Sequence, residues 1–320
     1  MANKLQGYSI ASDANNNQLT AEQAEFYQRT MLEALYDNAY FMKYGEKQNI
    51  PNHAGSTTSW RRLEMPTLST TAITEGVTPT ALDLTINKVS ATVKQFGAWT
   101  KISDFLDMVG LDPVLTKTSE MFGEHAALSM DIVVRDIIAA GTNRQFANSR
   151  ASRATLQAGD VITTAEIQKA RATMVKNNVK PIKLPNGKMG YLAFVHPDTV
   201  TKLFNLTEWK DMNTYVDTSN REAGIIGQMY GIYFMEATTA PTFADGGVGG
   251  NLAGKTTVII GKGAYGIPEV SGSSKPEILV YGQGSTENPM ALYKTVAWKS
   301  CFTAVRLNEK CIIALEHLDV

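Results

Sequence analysis

The feature of this sequence that most constrains its fold is one long helix, which we predict over residues 112–141. Asp112 can accept hydrogen bonds from the first free backbone N–H groups, and Pro113 fits the first helical position. Gly141 can adopt the left-handed conformation that ends many helices. The apolar residues form a main stripe, Leu115, Phe122, Ala126, Met130, Val133 and Ile137, and a second stripe, Val114, Met121, Leu128 and Ile132. A helix of roughly 42 Å with two apolar stripes is expected to be buried on most sides.

Charged residues occupy only a narrow strip of this helix: Lys117, Glu120, Glu124, Asp131 and Arg135. Asp131 precedes Arg135 by four residues, which is the favourable order for an ion pair on a helix surface. We therefore expect Asp131 on the charged side of the helix and Val133 in the core.

The length, charge balance and apolar runs of the sequence exclude some classes of protein. A chain of 320 residues is long enough for about two domains with a sizeable core. Its 30 basic and 31 acidic residues balance, which argues against a protein whose main task is to grip nucleic acid. Residues 1–17 lack the apolar core of a signal peptide, and no run approaches the ~18 apolar residues of a membrane span. We expect a protein made and kept in a cytoplasm-like compartment, without a membrane partner.

The N-terminal region is predicted to be an arm followed by a helix. Residues 1–18 are polar and show no periodicity, whereas residues 20–43 have a helical apolar face that includes Phe26 and Tyr40. Thr20 and Gln23 form a capping box at the start of this helix. Its aromatic face can be covered by a neighbouring molecule or by the chain's own domain, and the sequence leaves both interpretations open.

Residues 55–105 have the pattern of a projecting arm. Residues 57–63 read as a strand, residues 65–81 are rich in Thr, Ser and Pro, and residues 84–102 form a long extended run. The alternation changes parity within that run, which indicates a bulge or bend. The tip offers little apolar material to bury locally, so we expect a neighbouring molecule to cover it, with Thr74, Glu75 and Gly76 in the contact. Gly76 is expected to supply a turn conformation that a Cβ would resist.

Beyond the long helix, the sequence predicts a mixed α/β region over residues 161–286. Helices are expected at 164–177 and 199–206, strands at 191–195, 232–236 and 256–260, and a glycine-rich loop at 244–251. Before this region, Arg144, Arg150 and Arg153 could meet an anion or nucleic acid. Solvation or pairing with acidic residues is the favoured interpretation of these arginines.

The chain is predicted to end in a β-hairpin. Residues 291–306 and 310–318 read as strands joined by a turn, in a register that opposes Cys301 to Glu316 and Cys311 to Arg306. The two cysteines would then not face each other, so we expect free thiols in a reducing compartment.

No motif in the sequence indicates catalysis or cofactor binding. Residues 261–266 match GxGxxG, but Ile267 and Pro268 follow at once, so the helix that a dinucleotide site needs cannot begin there. The four histidines, His53, His125, His196 and His317, are scattered and do not have metal-site spacing. We predict no catalytic, cofactor-binding or metal-binding residues, and therefore no enzyme.

The order of these parts resembles the HK97-type major capsid protein of tailed phages, and the local similarity is greatest to the coat-protein family of N4-like phages. The segments that carry the resemblance are residues 73–79 (ITEGVTP), 89–97 (VSATVKQFG), 102–104 and 112–141. It implies an α+β fold with an N-arm (1–50), an extended E-loop (51–105), a P-domain (106–160 plus 287–320, with the spine helix at 112–141) and an A-domain (161–286).

The resemblance also implies a function and partners. The chain would form hexamers and pentamers of an icosahedral head shell around packaged double-stranded DNA, bound without sequence specificity. Its partners would be further copies of itself and portal, scaffolding and decoration proteins, in a virion assembled in the host cytoplasm. The inter-subunit contact is expected at Thr74, Glu75, Gly76, Phe26 and Tyr40. An encapsulin-type compartment shell and an α/β enzyme with a swapped β-arm are the alternatives, which particle size and nucleic-acid content would separate.

Overall fold

The computed structural model describes residues 39–51, 53–64, 66–109, 114–184, 187–213, 224–270, 276–281 and 288–318. Within these ranges, no helix is both long and apolar enough to span a membrane.

The described residues form five helices and sixteen strands. The helices are α1 Asp104–Val109, α2 Val114–Ala139, α3 Thr164–Lys176, α4 Pro197–Asn205 and α5 Thr207–Asn213. The strands are β1 Glu46–Ile50, β2 Thr57–Leu63, β3 Ile86–Thr92, β4 Lys94–Ser103, β5 Arg144–Phe146, β6 Ile182–Lys183, β7 Met189–Val195, β8 Ile225–Met229, β9 Ile232–Glu236, β10 Thr242–Gly246, β11 Leu252–Ile260, β12 Tyr265–Val270, β13 Glu277–Tyr281, β14 Tyr293–Phe302, β15 Val305–Arg306 and β16 Ile312–Leu318.

An eight-stranded sheet forms the centre of the subunit, with the order β5-β16-β11-β7-β9-β8, β10 beside β11 and β6 beside β7. Its middle strands are continuous apolar runs, because both faces of the sheet are covered. Residues 191–195, 258–260 and 312–315 are all buried. A capping box begins α3, in which Thr163 and Glu166 bond to each other across the first turn.

A six-stranded sheet lies beside the first, with the order β1-β12-β14-β13, β15 on β12 and β4 on β14. Strand β14 pairs with β4 along its whole length, from Tyr293 opposite Ser103 to Phe302 opposite Lys94. The predicted C-terminal hairpin is therefore wrong: β14 belongs to this sheet, whereas β16 pairs with β11 and β5 in the other. Strand β14 instead forms ten residue pairs with β4, and β16 forms seven with β11.

The separation of β14 and β16 also changes the environment of the cysteines. Cys301 lies opposite Gln95 on β4, and Cys311 lies in the short 3₁₀ turn that leads into β16. Both are free thiols, but the predicted oppositions of Cys301 to Glu316 and of Cys311 to Arg306 do not occur.

The long helix is confirmed as α2, which has 26 residues, while Asp112 and Pro113 lie outside the described residues. Phe122, Ala126 and Met130 are buried as predicted, but the buried line then continues through Val134 and Ile138. Val133 and Ile137 are only partly buried. Helix α2 packs on β14, β11 and the N-terminal segment, and His125 in its first half contacts Trp298 of β14. The prediction that the second apolar stripe is buried is wrong in part, since Met121 and Ile132 are exposed in the subunit.

The prediction of a charged strip on α2 is also wrong at one position. Asp131 is fully buried, and Arg135 pairs with its neighbour Asp136 (2.6 Å) instead. Asp131 accepts hydrogen bonds from the backbone N–H groups of Phe41 and Met42, and the expected ion pair with Arg135 does not form.

The end of α2 is held by arginines rather than by a left-handed glycine. Gly141 does not have a positive φ, so that prediction is wrong. Arg306 donates to the carbonyl oxygen of Ile137 (2.7 Å), and Arg144 donates to those of Ala139 (3.2 Å) and Gly141 (3.1 Å). Cations at this end also complement the negative pole of the helix.

The three arginines that follow the helix are paired with acidic residues, as the favoured interpretation predicted. Arg144 and Arg153 both contact the buried carboxylate of Glu316, at 2.6 Å and 2.7 Å. Arg150 contacts Asp160 at 2.8 Å. The two pairs with Glu316 tie the connection after α2 to β16, and all three guanidinium groups are bound to carboxylates of the same subunit.

Candidate assembly surface

The arm (residues 57–92) projects from the subunit as a two-stranded ribbon. Strand β2 has the bounds that the sequence predicts, and it pairs with β3 from Thr57 opposite Thr92 to Leu63 opposite Ile86. Val93 interrupts the extended run between β3 and β4, and its N–H donates to the carbonyl oxygen of Ser56 (2.8 Å). The predicted parity shift is thus confirmed: it marks the point where the chain leaves the arm and enters the six-stranded sheet.

The root of the arm is fixed to the body of the subunit. The Trp60 ring lies against Gly266 of β12, where a Cβ would come within 2.6 Å of the ring. Arg62 donates to the carbonyl oxygen of Leu307 (3.3 Å), and Ala91 is buried. A glycine at 266 is therefore needed for the close approach of this indole, and the direction in which the arm leaves the subunit is set by packing.

The tip of the arm (residues 66–84) has almost no contact with its own chain. Its internal backbone hydrogen bond runs from Val77 N–H to the carbonyl oxygen of Thr74 (3.1 Å). Gly76 has a φ of +78°, so the predicted turn conformation is confirmed. Five apolar side chains stand in solvent, namely Leu68, Ile73, Val77, Leu82 and Leu84, and Leu68 is 73% exposed. A surface of this kind is typical of a binding site for another molecule.

A second exposed apolar patch was not predicted from the sequence. It consists of Phe105, Leu106, Met108 and Val109 on α1, and Phe105 is 70% exposed. The exposed Leu292 adjoins it, because its carbonyl oxygen accepts a hydrogen bond from the N–H of Asp104 (2.9 Å). The signal in the sequence was a short helix with apolar residues on every side, which cannot bury all of them in one subunit.

Of the other predicted contact residues, Phe26 lies outside the described residues. Tyr40 is half-buried and packs against the main core of its own chain. It lies at the start of a 3₁₀ turn, Phe41–Lys43, that enters the core between α2 and β7. Thr74, Glu75 and Gly76 are all exposed at the turn of the tip. Their role in a contact between subunits stays a prediction.

The buried carboxylate of Asp131 holds this N-terminal segment. It accepts hydrogen bonds from the backbone N–H groups of Phe41 (2.6 Å) and Met42 (3.4 Å) and from the hydroxyl of Thr239 (2.6 Å). The Tyr265 hydroxyl donates to the carbonyl oxygen of Phe41 (2.5 Å). One carboxylate of the long helix therefore joins the N-terminal segment to the connection that follows β9.

We predict that Asp131→Ala destabilises the subunit, whereas the isosteric Asp131→Asn leaves its stability within about 1 kcal/mol. Alanine leaves the buried N–H groups of Phe41 and Met42 without their acceptor, at a cost of about 1–3 kcal/mol for each group. Asparagine keeps an acceptor for Phe41 and can donate its amide N–H to Thr239. Chemical denaturation at neutral pH measures both values, and equal unfolding free energies for the two variants would contradict this role of the carboxylate.

The same pair of proteins should differ in pH dependence. Burial raises the pKa of the Asp131 carboxyl, although hydrogen bonds from Thr239 and the N-terminal segment oppose the shift. Because the folded-state pKa lies above the unfolded one, this contribution to stability is fully present below the unfolded pKa and is lost as pH rises through the folded pKa. Wild type should therefore gain stability relative to Asp131→Asn on acidification. Parallel stability curves for the two proteins would exclude the effect.

The motifs that resemble enzyme sites do not form such sites. Residues 261–266 lead into strand β12, so no helix N-terminus points at a phosphate there. His125 accepts a hydrogen bond from the Trp298 indole (3.1 Å), and the two rings pack against each other. Among the described residues, no group of three or more His, Cys, Asp or Glu side chains could hold a metal ion.

Comparison with known proteins agrees with a shell subunit. A model of the phage capsid protein family matches residues 86–305, whereas curated proteins gave no match. The fold is similar to the capsid of Ralstonia phage GP4, with a TM-score of 0.70 and 13% identity over 88% of this chain and 91% of that one. It is also similar to the cyanophage Pam1 capsid, with a TM-score of 0.63 and 13% identity over 100% and 99%.

A virus-like particle from Pyrococcus furiosus shares the fold more distantly, with a TM-score of 0.51 and 10% identity over 91% of this chain and 98% of that one. These similarities and the arrangement of sheets, arm and long helix identify the α+β fold as the HK97 type. Since the family model spans more than half of the sequence, the chain belongs to the phage capsid protein family and is a structural subunit of a phage head shell.

Proposed function

We propose that this chain is the major capsid protein of a tailed phage, that it assembles as hexamers and pentamers, and that the shell is icosahedral. The observation that carries the proposal is the projecting arm, whose tip presents five exposed apolar side chains on a fixed root. A monomer would gain nothing from such a surface, whereas a repeating shell can bury it at every contact. The protein acts as a building block and not as an enzyme.

The finer relationship and the division into domains are part of this proposal. Similarity of residues 73–79 and 89–97 to coat proteins of N4-like phages supports membership of that group. The proposed division is an N-arm (1–50), an E-loop (51–105), a P-domain (106–160 plus 287–320) and an A-domain (161–286). The sheets cross these boundaries, because β12 and β13 share a sheet with β14, and β5 and β16 share one with β11.

The proposed partners follow from the role of a head shell. Further copies of the chain would bind through the tip, and the shell would enclose double-stranded DNA without sequence specificity. A portal, scaffolding proteins and decoration proteins would complete a particle that is assembled in the host cytoplasm.

Expression of the full chain followed by sedimentation and electron microscopy tests the proposal. We expect closed particles of megadalton mass, and a small oligomer would contradict a shell function and favour an enzyme with a swapped arm. Particles from infected cells should contain double-stranded DNA. Closed shells that hold protein cargo and no nucleic acid would instead indicate an encapsulin-type compartment.

A further inference from the structure

The balanced charge of the chain conceals one strongly basic segment. Between Ile167 and Gly190 there are six basic residues and no acidic residue: Lys169, Arg171, Lys176, Lys180, Lys183 and Lys188. Removing these six from the chain's 30 basic residues leaves 24 against 31 acidic residues. The rest of the subunit is therefore acidic, and the basic charge is concentrated on α3 and the loop that follows it.

The fold turns most of this charge outward. Ile167, Ala170 and Met174 are fully buried and fix one side of α3 in the core. Lys169 and Lys176 are exposed and lie two turns apart on the opposite side, separated by roughly 10 Å along the helix axis.

The loop and a distant turn extend the same surface. Lys180 and Lys183 are exposed in the loop after α3. The carbonyl oxygen of Lys180 accepts a hydrogen bond from the N–H of Lys262 (2.9 Å), which brings a fifth exposed lysine beside them. We call Lys169, Lys176, Lys180, Lys183 and Lys262 the cationic face.

Unlike the three arginines after α2, these lysines have no anionic partner within the described part of the subunit. None of the five forms an ion pair there. The acid of α3, Glu166, is buried and accepts hydrogen bonds from the N–H groups of Asn148 (2.9 Å) and Thr163 (3.1 Å). Glu46 lines a 340 Å³ groove together with Lys262, at the edge of the face. The face thus keeps a surplus of positive charge.

We infer that the cationic face is the surface of the subunit that contacts packaged double-stranded DNA, an inference that rests on the proposed function of a DNA-filled shell. Lysines are flexible point charges that suit phosphate binding without base recognition. Duplex DNA offers one negative charge per roughly 1.7 Å of its axis, so lysines spread over two helical turns can each reach a phosphate. Duplex DNA is uniformly anionic, so it matches a surface on which several exposed lysines spread positive charge.

Lysine reactivity in assembled shells tests the inference directly. Filled and DNA-free shells are acetylated, and modified peptides are quantified by mass spectrometry. We expect Lys169, Lys176 and Lys183 to be protected in filled shells and reactive in empty ones, while Lys88 on the arm and Lys94 at the start of β4 react equally in both. Equal reactivity of the face in both shells would overturn the inference. Protection in both would also overturn it, because another protein would then cover the face.

Charge removal gives an independent test. The triple variant Lys169→Gln, Lys176→Gln, Lys183→Gln is compared with a control of equal charge change, Lys88→Gln, Lys94→Gln, Lys310→Gln. Binding of the full-length subunit to a random-sequence duplex is measured between about 50 and 200 mM salt. The salt slope should fall by about 0.9 for each phosphate contact that is lost, and only in the face variant. Identical slopes would contradict the inference. Shell formation by the face variant is measured separately, so that a failure of the proposed shell function can be told apart from a failure of this inference.

Discussion

Replacing residues 65–84 by Asn-Gly is expected to give a folded subunit that no longer forms shells. The ladder of the arm ends where Glu64 N–H donates to the carbonyl oxygen of Thr85 (3.0 Å), so a two-residue turn can close the hairpin at this point. Among the described residues of the removed segment, 66–84, there is no buried apolar side chain. Its loss should therefore leave the unfolding free energy nearly unchanged, while each subunit loses a contact that repeats around the whole shell.

Circular dichroism reports the fold of the shortened subunit, and sedimentation reports its assembly. A second variant keeps the full length of the arm but replaces three apolar side chains of the tip: Leu68→Ser, Ile73→Ser and Val77→Ser. It shows whether assembly needs the apolar contact of the tip or only the length of the arm. Val248→Ser removes an apolar side chain that is 90% exposed outside the arm, and it should assemble normally. Normal shells from the shortened subunit would refute the contact, and loss of its fold would show that the tip belongs to the subunit core.

The second large effect is expected at the long helix. Val134 is fully buried in the middle of α2, so Val134→Asp places an unpaired charge in the core. The cost is several kcal/mol, a large part of the roughly 5–15 kcal/mol that stabilises a typical domain. We expect insoluble or unfolded protein before any question of assembly arises.

Ile132→Asp is the matched control, because Ile132 lies two residues away and is 37% exposed. It should remain soluble and show the helical circular dichroism spectrum of wild type. If both variants fold, the burial of Val134 in solution is wrong. If both variants fail to fold, the side of α2 that carries Ile132 is buried in solution, although it is exposed in the isolated subunit.

Local structure followed from local patterns in the sequence. Residues 57–63 and 232–236 read as strands from their own residue types, and β2 and β9 have these bounds. The turn at Gly76 and the capping of α3 by Thr163 and Glu166 also depend on neighbours within three residues. Arg150 also pairs with an acidic residue close in the sequence, Asp160, which lies ten residues further along the chain.

Tertiary structure alone decided which strands pair and which polar groups are buried. An alternating strand such as β14 can pair with any complementary edge, so the sequence could not show that it joins β4 rather than β16. Asp131 reads as a surface residue of α2 because its partners, Phe41 and Thr239, lie about a hundred residues away along the chain. Burial of a carboxylate depends on donors that only the folded chain brings together.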